Sequence, residues 1–130
     1  MAKKILLVDD DKLVLMTLKR LLSREGYDVV TALNGQAALR REEENGFDLI
    51  ISDIKMPVMD GVEAVKKIRE YRAQKGKNLL PEIFITAFAK EELYQDALAL
   101  NAAGYIQKPF DIKALIQTVK KATGEWSLPN

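Results

Sequence analysis

The segment ILLVDDD at residues 5–11 ends a short apolar run with three consecutive acidic residues. A second apolar run, LIISD at residues 49–53, also ends in an aspartate. If the two runs form neighbouring parallel strands, their carboxylates meet in one crevice. Carboxylates held this close raise one another's pKa unless a cation neutralises them. Oxygen ligation with open coordination positions suits Mg²⁺, with Mn²⁺ as the alternative, and invites a phosphoryl group.

Five short apolar runs alternate with segments of helical periodicity, which is the pattern of repeated strand–helix units. The runs occupy residues 5–8, 27–32, 47–51, 82–85 and 105–107. Residues 6–8 of the first run and residues 49–51 of the third are continuously apolar, which is typical of central parallel strands covered by helices on both faces. The sequence therefore predicts an α/β protein, a (βα)₅ three-layer sandwich around a five-stranded parallel sheet.

The segments between the runs have the apolar spacing of amphipathic helices. The first helix is predicted to end at Gly26, and the second to span residues 36–44. The third begins after Gly61 and ends at the polar stretch 75–78. The fifth ends near Gly124. The fourth and fifth are marked by apolar positions three or four residues apart, namely Leu93, Ala97, Leu100, Ile112, Leu115, Ile116 and Val119.

Composition favours one globular domain, because 130 residues that are 48% hydrophobic can bury a core. We expect this domain at residues 1–124 and a C-terminal tail or linker remnant at residues 125–130. The formal net charge of +1 gives no electrostatic reason to expect nucleic-acid or membrane binding. The first apolar run meets charge too early to be a signal peptide or a membrane span. Residues 125–130 are too few for a helix-turn-helix, so we expect no DNA binding within this chain.

Two residue types are missing from the chain. The absence of cysteine excludes disulfides and thiolate nucleophiles and fits a reducing compartment, so a cytoplasmic location is expected. The absence of histidine excludes a Ser-His-Asp triad and a histidine-ligated zinc site. A phosphoryl group that comes from a histidine must therefore be carried by another protein.

Ligands of open parallel sheets bind outside the carboxyl ends of the strands. The residues predicted at those ends supply metal ligands, a nucleophile, a hydroxyl and a cation; they are Asp9, Asp10, Asp53, Thr86 and Lys108. Each has an ordinary structural explanation when taken alone. Aspartates at strand ends occur in turns or cap helices, which is worth roughly 0.5–2 kcal/mol. We assign such a capping role to Asp11, at the start of the first helix.

As a set, these residues resemble the receiver domain of two-component response regulators, from residue 3 to about residue 123. The segments ILLVDDD, DLIISDIKMPVMDG, IFITA and GYIQKPF carry the resemblance, in this order and at ordinary family spacing. The resemblance implies a flavodoxin-like fold with strand order 2-1-3-4-5.

The resemblance also implies a role for each acidic residue of the site. Asp53 would be the phosphoacceptor, whose carboxylate attacks phosphorus to give an aspartyl phosphate. Asp10 would bind Mg²⁺ directly and Asp9 through water, with Asp53 and the backbone carbonyl of Lys55 as the remaining ligands from the protein. Lys108 would contact a phosphoryl oxygen as a point charge, and the peptide bond that follows it, to proline, is typically cis in the family.

Thr86 and Tyr105 are implied to form the switch. The Thr86 hydroxyl would bond the phosphoryl group, and Tyr105 would turn inward when that hydroxyl moves. A strand-end threonine and a half-buried strand tyrosine are also ordinary packing residues. The output surface would combine the fourth helix, the fifth strand and the fifth helix, and would bind a downstream protein or a second copy. Lys55 and Phe88 would flank the path of the hydrolytic water and affect the phosphate lifetime.

The implied phosphate donor is a sensor histidine kinase or a histidine phosphotransfer protein. The chain would be a phosphorylation-controlled switch rather than an enzyme, with intrinsic self-phosphorylation and self-dephosphorylation. Both a stand-alone regulator and one domain of a longer protein fit the sequence.

Two other classes fit less well. Residues 9–13 imitate the DxDx[TV] motif of haloacid-dehalogenase phosphatases, but Leu13 stands where that motif has Thr or Val, and no cap domain is recognisable. A nucleotide- or flavin-binding module is the second alternative. Neither G-x-x-x-x-G-K-[ST] nor G-x-G-x-x-G follows a predicted strand.

Overall fold

The computed structural model describes residues 2–87 and 92–125. Phe88, Trp126 and the rest of the predicted tail to residue 130 lie outside the described residues. Within the described ranges, strands and helices alternate as β1 Lys4–Val8, α1 Lys12–Arg24, β2 Asp28–Ala32, α2 Gly35–Glu44, β3 Leu49–Asp53, α3 Gly61–Gln74, β4 Glu82–Thr86, α4 Glu92–Leu98, β5 Gly104–Gln107 and α5 Ile112–Ala122. No helix in these ranges has the length and apolar character needed to span a membrane.

The strands form one parallel sheet in the order β2-β1-β3-β4-β5, which confirms the predicted fold class and strand order. β1 lies directly beside β3, with Leu6 opposite Ile50 and Val8 opposite Ser52. Because both strands run the same way, Asp9 and Asp53 emerge at the same edge. The sheet therefore brings together the two acidic segments that are far apart in the sequence.

Apolar side chains cover both faces of the central strands. One cluster joins alternate residues of β1 and β3 to α1 and α5, through Ile5, Leu7, Leu18, Leu22, Ile51 and Leu115. The other residues of the same strands pack under α2 and α3, through Leu6, Val8, Ala38, Ile50 and Ile68. Burial of such a side chain contributes about 1.5–3 kcal/mol. The expected burial of the sheet is confirmed, and the loops at its carboxyl edge follow directly from buried strands.

Acidic and amide side chains cap the first three helices. The Asp11 carboxylate accepts hydrogen bonds from the backbone N–H groups of Leu13, at 2.9 Å, and Val14, at 3.4 Å, which confirms its predicted capping role. Asn34 and Asp60 cap α2 and α3 in the same way. α1 ends just before Gly26, whose φ of 93° is a left-handed conformation that glycine adopts without strain.

The predicted helix bounds differ from the structure mainly at α4. Leu100 was included in the fourth helix, but α4 ends at Leu98. Tighter turns follow, in which the N–H of Leu100 donates to Ala97 and that of Asn101 to Leu98. Leu100 still packs against the core, so its apolar position correctly indicated burial but not the end of the helix. At α2 the difference is one residue, since this helix begins at Gly35.

Candidate functional site

Lys108 places its ammonium group between two buried carboxylates. Its Nζ lies 3.1 Å from Asp9 Oδ2 and 3.3 Å from Asp53 Oδ2. Asp9 is 2% exposed and Asp53 is 8% exposed, so water screens these charges weakly. The three residues follow or end β1, β3 and β5, and the parallel sheet is what brings them together.

Asp10 adds a third carboxylate to this group. Ligand oxygens of Asp9, Asp10 and Asp53 all lie within 4.8 Å of one another. Asp10 is exposed, and the backbone N–H of Asp11 donates to Asp9 Oδ1 at 2.9 Å. Asp9 and Asp53 thus contact the Lys108 ammonium group, and Asp10 lies beside them. The described lining of the cleft has four carboxylates and two lysines, Lys55 and Lys108, so negative charge is in excess.

The electrostatic cost of this excess is seen at Asp53. Burial, and then the nearby Asp9 charge, raise the pKa of the Asp53 carboxyl, although Lys108 acts in the opposite direction. Burial alone would lower the pKa of Lys108, but the charges of Asp53 and Asp9 outweigh it and raise that pKa. The lysine is therefore held protonated, and a further cation would relieve the carboxylates.

The carboxylates line a cleft of about 490 Å³ at the carboxyl edge of the sheet. The residues predicted as metal ligands all contribute to its wall, together with others that the sequence did not assign to the site; the lining consists of Asp9, Asp10, Asp11, Asp53, Lys55, Met56, Pro57 and Lys108. Clustered carboxylate oxygens suit Mg²⁺ or Mn²⁺, which prefer oxygen ligands and keep several waters. The donor set therefore fits the expected divalent cation.

Thr86 lies beside Lys108 at the end of β4. Its side chain is buried, and its backbone carbonyl accepts a hydrogen bond from the N–H of Lys108 at 2.8 Å. The Lys108-Pro109 peptide bond is cis, as in the family that the sequence resembles. Thr86 thus adjoins Lys108 through the backbone, but it is not among the described residues that line the cleft.

Tyr105 does not line the cleft. Its hydroxyl accepts from the N–H of Ala102 and donates to the carbonyl of Ala97, each at 2.8 Å. Its ring stacks on Phe84 at 6.0 Å and meets the edge of Tyr94 at 6.3 Å, both measured between centroids. In this structure the tyrosine therefore packs inward against the C-terminal end of α4.

Two residues next to Asp53 were missed by the sequence analysis. The Ser52 hydroxyl donates to the backbone carbonyl of Asp53 at 2.8 Å. A Cβ atom at Gly61 would lie 2.1 Å from that same carbonyl oxygen. The available signals were a polar side chain within an apolar strand and the glycine that opens the third helix.

The described geometry has close parallels among known proteins. The family model of the response regulator receiver domain matches residues 5–120. The chain belongs to this family. The alkaline phosphatase synthesis transcriptional regulatory protein PhoP of Bacillus subtilis is 38% identical over 122 residues, which are 92% of this chain and 48% of that protein. The sensor protein GacS of Pseudomonas syringae pv. syringae is 34% identical over 95% of this chain and 14% of its own length. The receiver chain thus spans about half or less of these two relatives.

Solved structures show the same fold. The chemotaxis protein CheY4 of Vibrio cholerae has a TM-score of 0.82 and 34% identity, over 94% of this chain and 99% of that one. A CheY-like receiver domain protein of Methanospirillum hungatei JF-1 has a TM-score of 0.85 and 33% identity, with 96% of both chains covered. The chain is thus a receiver domain of two-component signal transduction, a family that is phosphorylated on aspartate and interacts with histidine kinases and downstream effectors.

Proposed function

We propose that Asp53 accepts a phosphoryl group from a histidine of a sensor kinase or phosphotransfer protein, and that the modification switches the surface formed by α4, β5 and α5. The observation that carries this proposal is the buried pair of Asp9 and Asp53 carboxylates around the Lys108 ammonium group, at 3.1 and 3.3 Å. A structural ion pair needs one carboxylate for each cation. This cleft has more, and it opens where parallel sheets bind ligands.

The transfer is a displacement at phosphorus. An Asp53 carboxylate oxygen forms a bond to phosphorus while the bond from phosphorus to the donor's imidazole nitrogen breaks. The imidazole leaves with the electron pair and recovers its proton from water, and Asp53 becomes an acyl phosphate. Lys108 keeps its proton throughout, and its ammonium group balances the charge of the phosphoryl oxygens.

The carboxylates of Asp9, Asp10 and Asp53 and the backbone carbonyl of Lys55 are the proposed ligands of Mg²⁺, with Mn²⁺ as a substitute. The proximity of the three carboxylates, within 4.8 Å, supports this assignment. When bound, the ion supplies positive charge that screens the carboxylates from the incoming phosphoryl oxygens. Asp9 keeps its orientation through the N–H of Asp11.

Thr86 and Tyr105 are the proposed switch residues. The Thr86 hydroxyl would bond a phosphoryl oxygen, since Thr86 is hydrogen-bonded through its backbone to Lys108. Tyr105 pairs in register with Phe84, two residues before Thr86, and holds the end of α4 through its hydroxyl. A movement of Thr86 would therefore change the packing of Tyr105 and of α4. The altered surface would bind a downstream protein or a second copy of the chain.

Self-phosphorylation from small donors and self-dephosphorylation belong to the same proposal, with Lys55 and Phe88 as residues that set the phosphate lifetime. We assign residues 1–124 to the receiver domain and residues 125–130 to a tail or linker. A cytoplasmic location fits the lack of cysteine in the chain.

Intact mass after incubation with acetyl phosphate and Mg²⁺ tests the proposal. We expect one added phosphoryl group on the wild-type chain, and none on Asp53→Asn or when a chelator is present. Asp28→Asn is the matched control, because Asp28 is exposed at the opposite end of the sheet and should leave the adduct unchanged. An adduct that persists in Asp53→Asn would contradict the assignment and favour a nucleophile at residues 9–13.

A further inference from the structure

Ser52 is a buried polar residue beside the proposed phosphoacceptor. It is 1% exposed, and it faces the side of the sheet that α2 and α3 cover, since Ile50, two residues earlier, packs there. Asp53, the next residue, points to the cleft instead. Ser52 therefore approaches Asp53 from behind, through the backbone rather than through the carboxylate.

The peptide unit that follows Asp53 is fixed at both of its polar groups. Its carbonyl, from Asp53, accepts the Ser52 hydroxyl at 2.8 Å. Its N–H, from Ile54, donates to the carbonyl of Ile85 in β4 at 3.2 Å. A peptide plane held at both ends leaves the Asp53 backbone little freedom, and the direction of the Asp53 side chain is set with it.

The first residue of α3, Gly61, packs closely against the same peptide unit. A Cβ at Gly61 would lie 2.1 Å from the Asp53 carbonyl oxygen and 3.0 Å from Ser52 Oγ, so only glycine permits this contact. The N–H of Gly61 also donates to the carbonyl of Ile54 at 2.7 Å. These bonds close the loop at residues 54–60, which carries Lys55 along the cleft.

We infer that Ser52 is a positioning residue for phosphoryl transfer: its hydroxyl fixes the Asp53–Ile54 peptide and thereby aims the Asp53 carboxylate and the Lys55 loop into the cleft. This inference rests on the proposed function of Asp53. The competing explanation is that a small residue is needed here so that α3 can approach. The hydrogen bond to the Asp53 carbonyl would then only provide a partner for a buried hydroxyl group. That explanation predicts no loss when only the hydroxyl is removed.

Ser52→Ala removes the hydroxyl and keeps the small size. We expect its maximal rate of phosphorylation, at saturating acetyl phosphate and Mg²⁺, to fall about tenfold, because small misplacements of a reacting group are costly. The acetyl phosphate concentration for half-maximal rate should change little. Tyr27→Phe is the control, since it removes a buried hydroxyl just before β2 and should leave the rate unchanged.

A second variant, Ser52→Cys, distinguishes an effect on the phosphorylation rate from a failure to fold. It keeps a single heavy atom on Cβ, although sulfur is larger than oxygen, and it keeps a weak donor, so its maximal rate should lie between those of the wild type and Ser52→Ala, and it serves alone if Ser52→Ala does not fold. Urea denaturation monitors folding of all three. Equal maximal rates in the folded variants would overturn the role of Ser52. A wild-type chain that gains no adduct would instead overturn the proposed function, so the two failures are distinguishable.

Discussion

The two ends of the sheet solve the problem of buried charge in opposite ways. At the carboxyl end, one ammonium group faces the carboxylates of Asp9 and Asp53. At the amino end, one guanidinium faces one carboxylate: Arg69 donates through Nε and Nη2 to the two oxygens of Glu82, at 2.9 and 2.7 Å. The charges of this bidentate ion pair balance, so it needs no further ion. The unmatched carboxylates at the other end instead favour the binding of a cation.

The matched pair at the amino end also joins three elements. Arg69 lies on α3, Glu82 begins β4, and Arg69 Nη2 donates to the carbonyl of Leu100 after α4 at 2.9 Å. The backbone carbonyl of Glu82 accepts from the N–H of Ala103 at 2.8 Å. The charges at this end of the molecule therefore hold the chain together, whereas those at the other end form the proposed phosphorylation site.

Breaking the matched pair should have the largest effect on stability. Arg69→Met leaves the Glu82 carboxylate, which is 4% exposed, without its cation. We expect the free energy of unfolding to fall by about 3 kcal/mol. This value is at the lower end of the range for breaking a buried ion pair, because the Arg69 side chain is 27% exposed. Folded Arg69→Met should still be phosphorylated on Asp53. Urea denaturation measures the loss, with exposed Arg40→Met as the control. Equal stability of the two variants would show that the pair is not structural.

Removing one of the unmatched carboxylates should instead raise the free energy of unfolding. The pKa of Asp53 lies above its ordinary value of 3.8, so the folded state holds this proton more tightly than the unfolded state. Stability therefore falls as the pH rises from 3.8 through the folded pKa, and Asp53→Asn escapes this loss. We expect Asp53→Asn to be more stable than the wild type at pH 7 without Mg²⁺.

Urea denaturation across a series of pH values measures this difference. The advantage of Asp53→Asn should shrink toward zero as the pH falls to the ordinary carboxyl range, and the exposed control Asp28→Asn should show no such dependence. A difference that stays constant with pH would mean that packing, not charge, separates the variants.

The same contrast explains what the sequence could predict. Asp9, Asp53, Thr86 and Lys108 follow or end apolar runs, and a parallel sheet brings all such ends to one edge, so their grouping followed from the fold class. The fork between Arg69 and Glu82 depends on how α3 lies across β4, which periodicity does not report. Glu82 was therefore read only as the first residue of a strand.

The end of α4 was mispredicted for a related reason. Leu100 has the spacing of a buried helical residue, and it is partly buried. The helix nevertheless ends at Leu98, where the carbonyls of Ala97 and Leu98 accept from the N–H groups of Leu100 and Asn101. The Tyr105 hydroxyl also donates to the Ala97 carbonyl and accepts from the N–H of Ala102. A hydroxyl from another strand thus satisfies backbone groups at the end of the helix, and such a tertiary partner leaves no local signal in the helix sequence.

The two ends also differ in backbone strain, which is greater at the carboxyl end. Its expected effect on the free energy of unfolding is smaller than that of the charges. Val58, in the loop beside the cleft, has a φ of 70°, and Asn101, in the turn that Arg69 holds at the amino end, has a φ of 52°. Asparagine tolerates this left-handed region, but a β-branched side chain does not. Val58 is also 87% exposed, so the packing of its side chain offsets little of this strain.

We expect Val58→Asn to raise the free energy of unfolding by about 0.5 kcal/mol, a fraction of the roughly 1–2 kcal/mol that left-handed backbone costs, since asparagine keeps its Cβ. The reciprocal variant Asn101→Val should lower it by a similar or larger amount, and urea denaturation of both measures the pair. A stabilised Asn101→Val with a destabilised Val58→Asn would show that neither position is limited by its backbone. If the expected signs hold, strain and unmatched charge lie at the same end of the sheet, where a stable fold alone gives no reason for either.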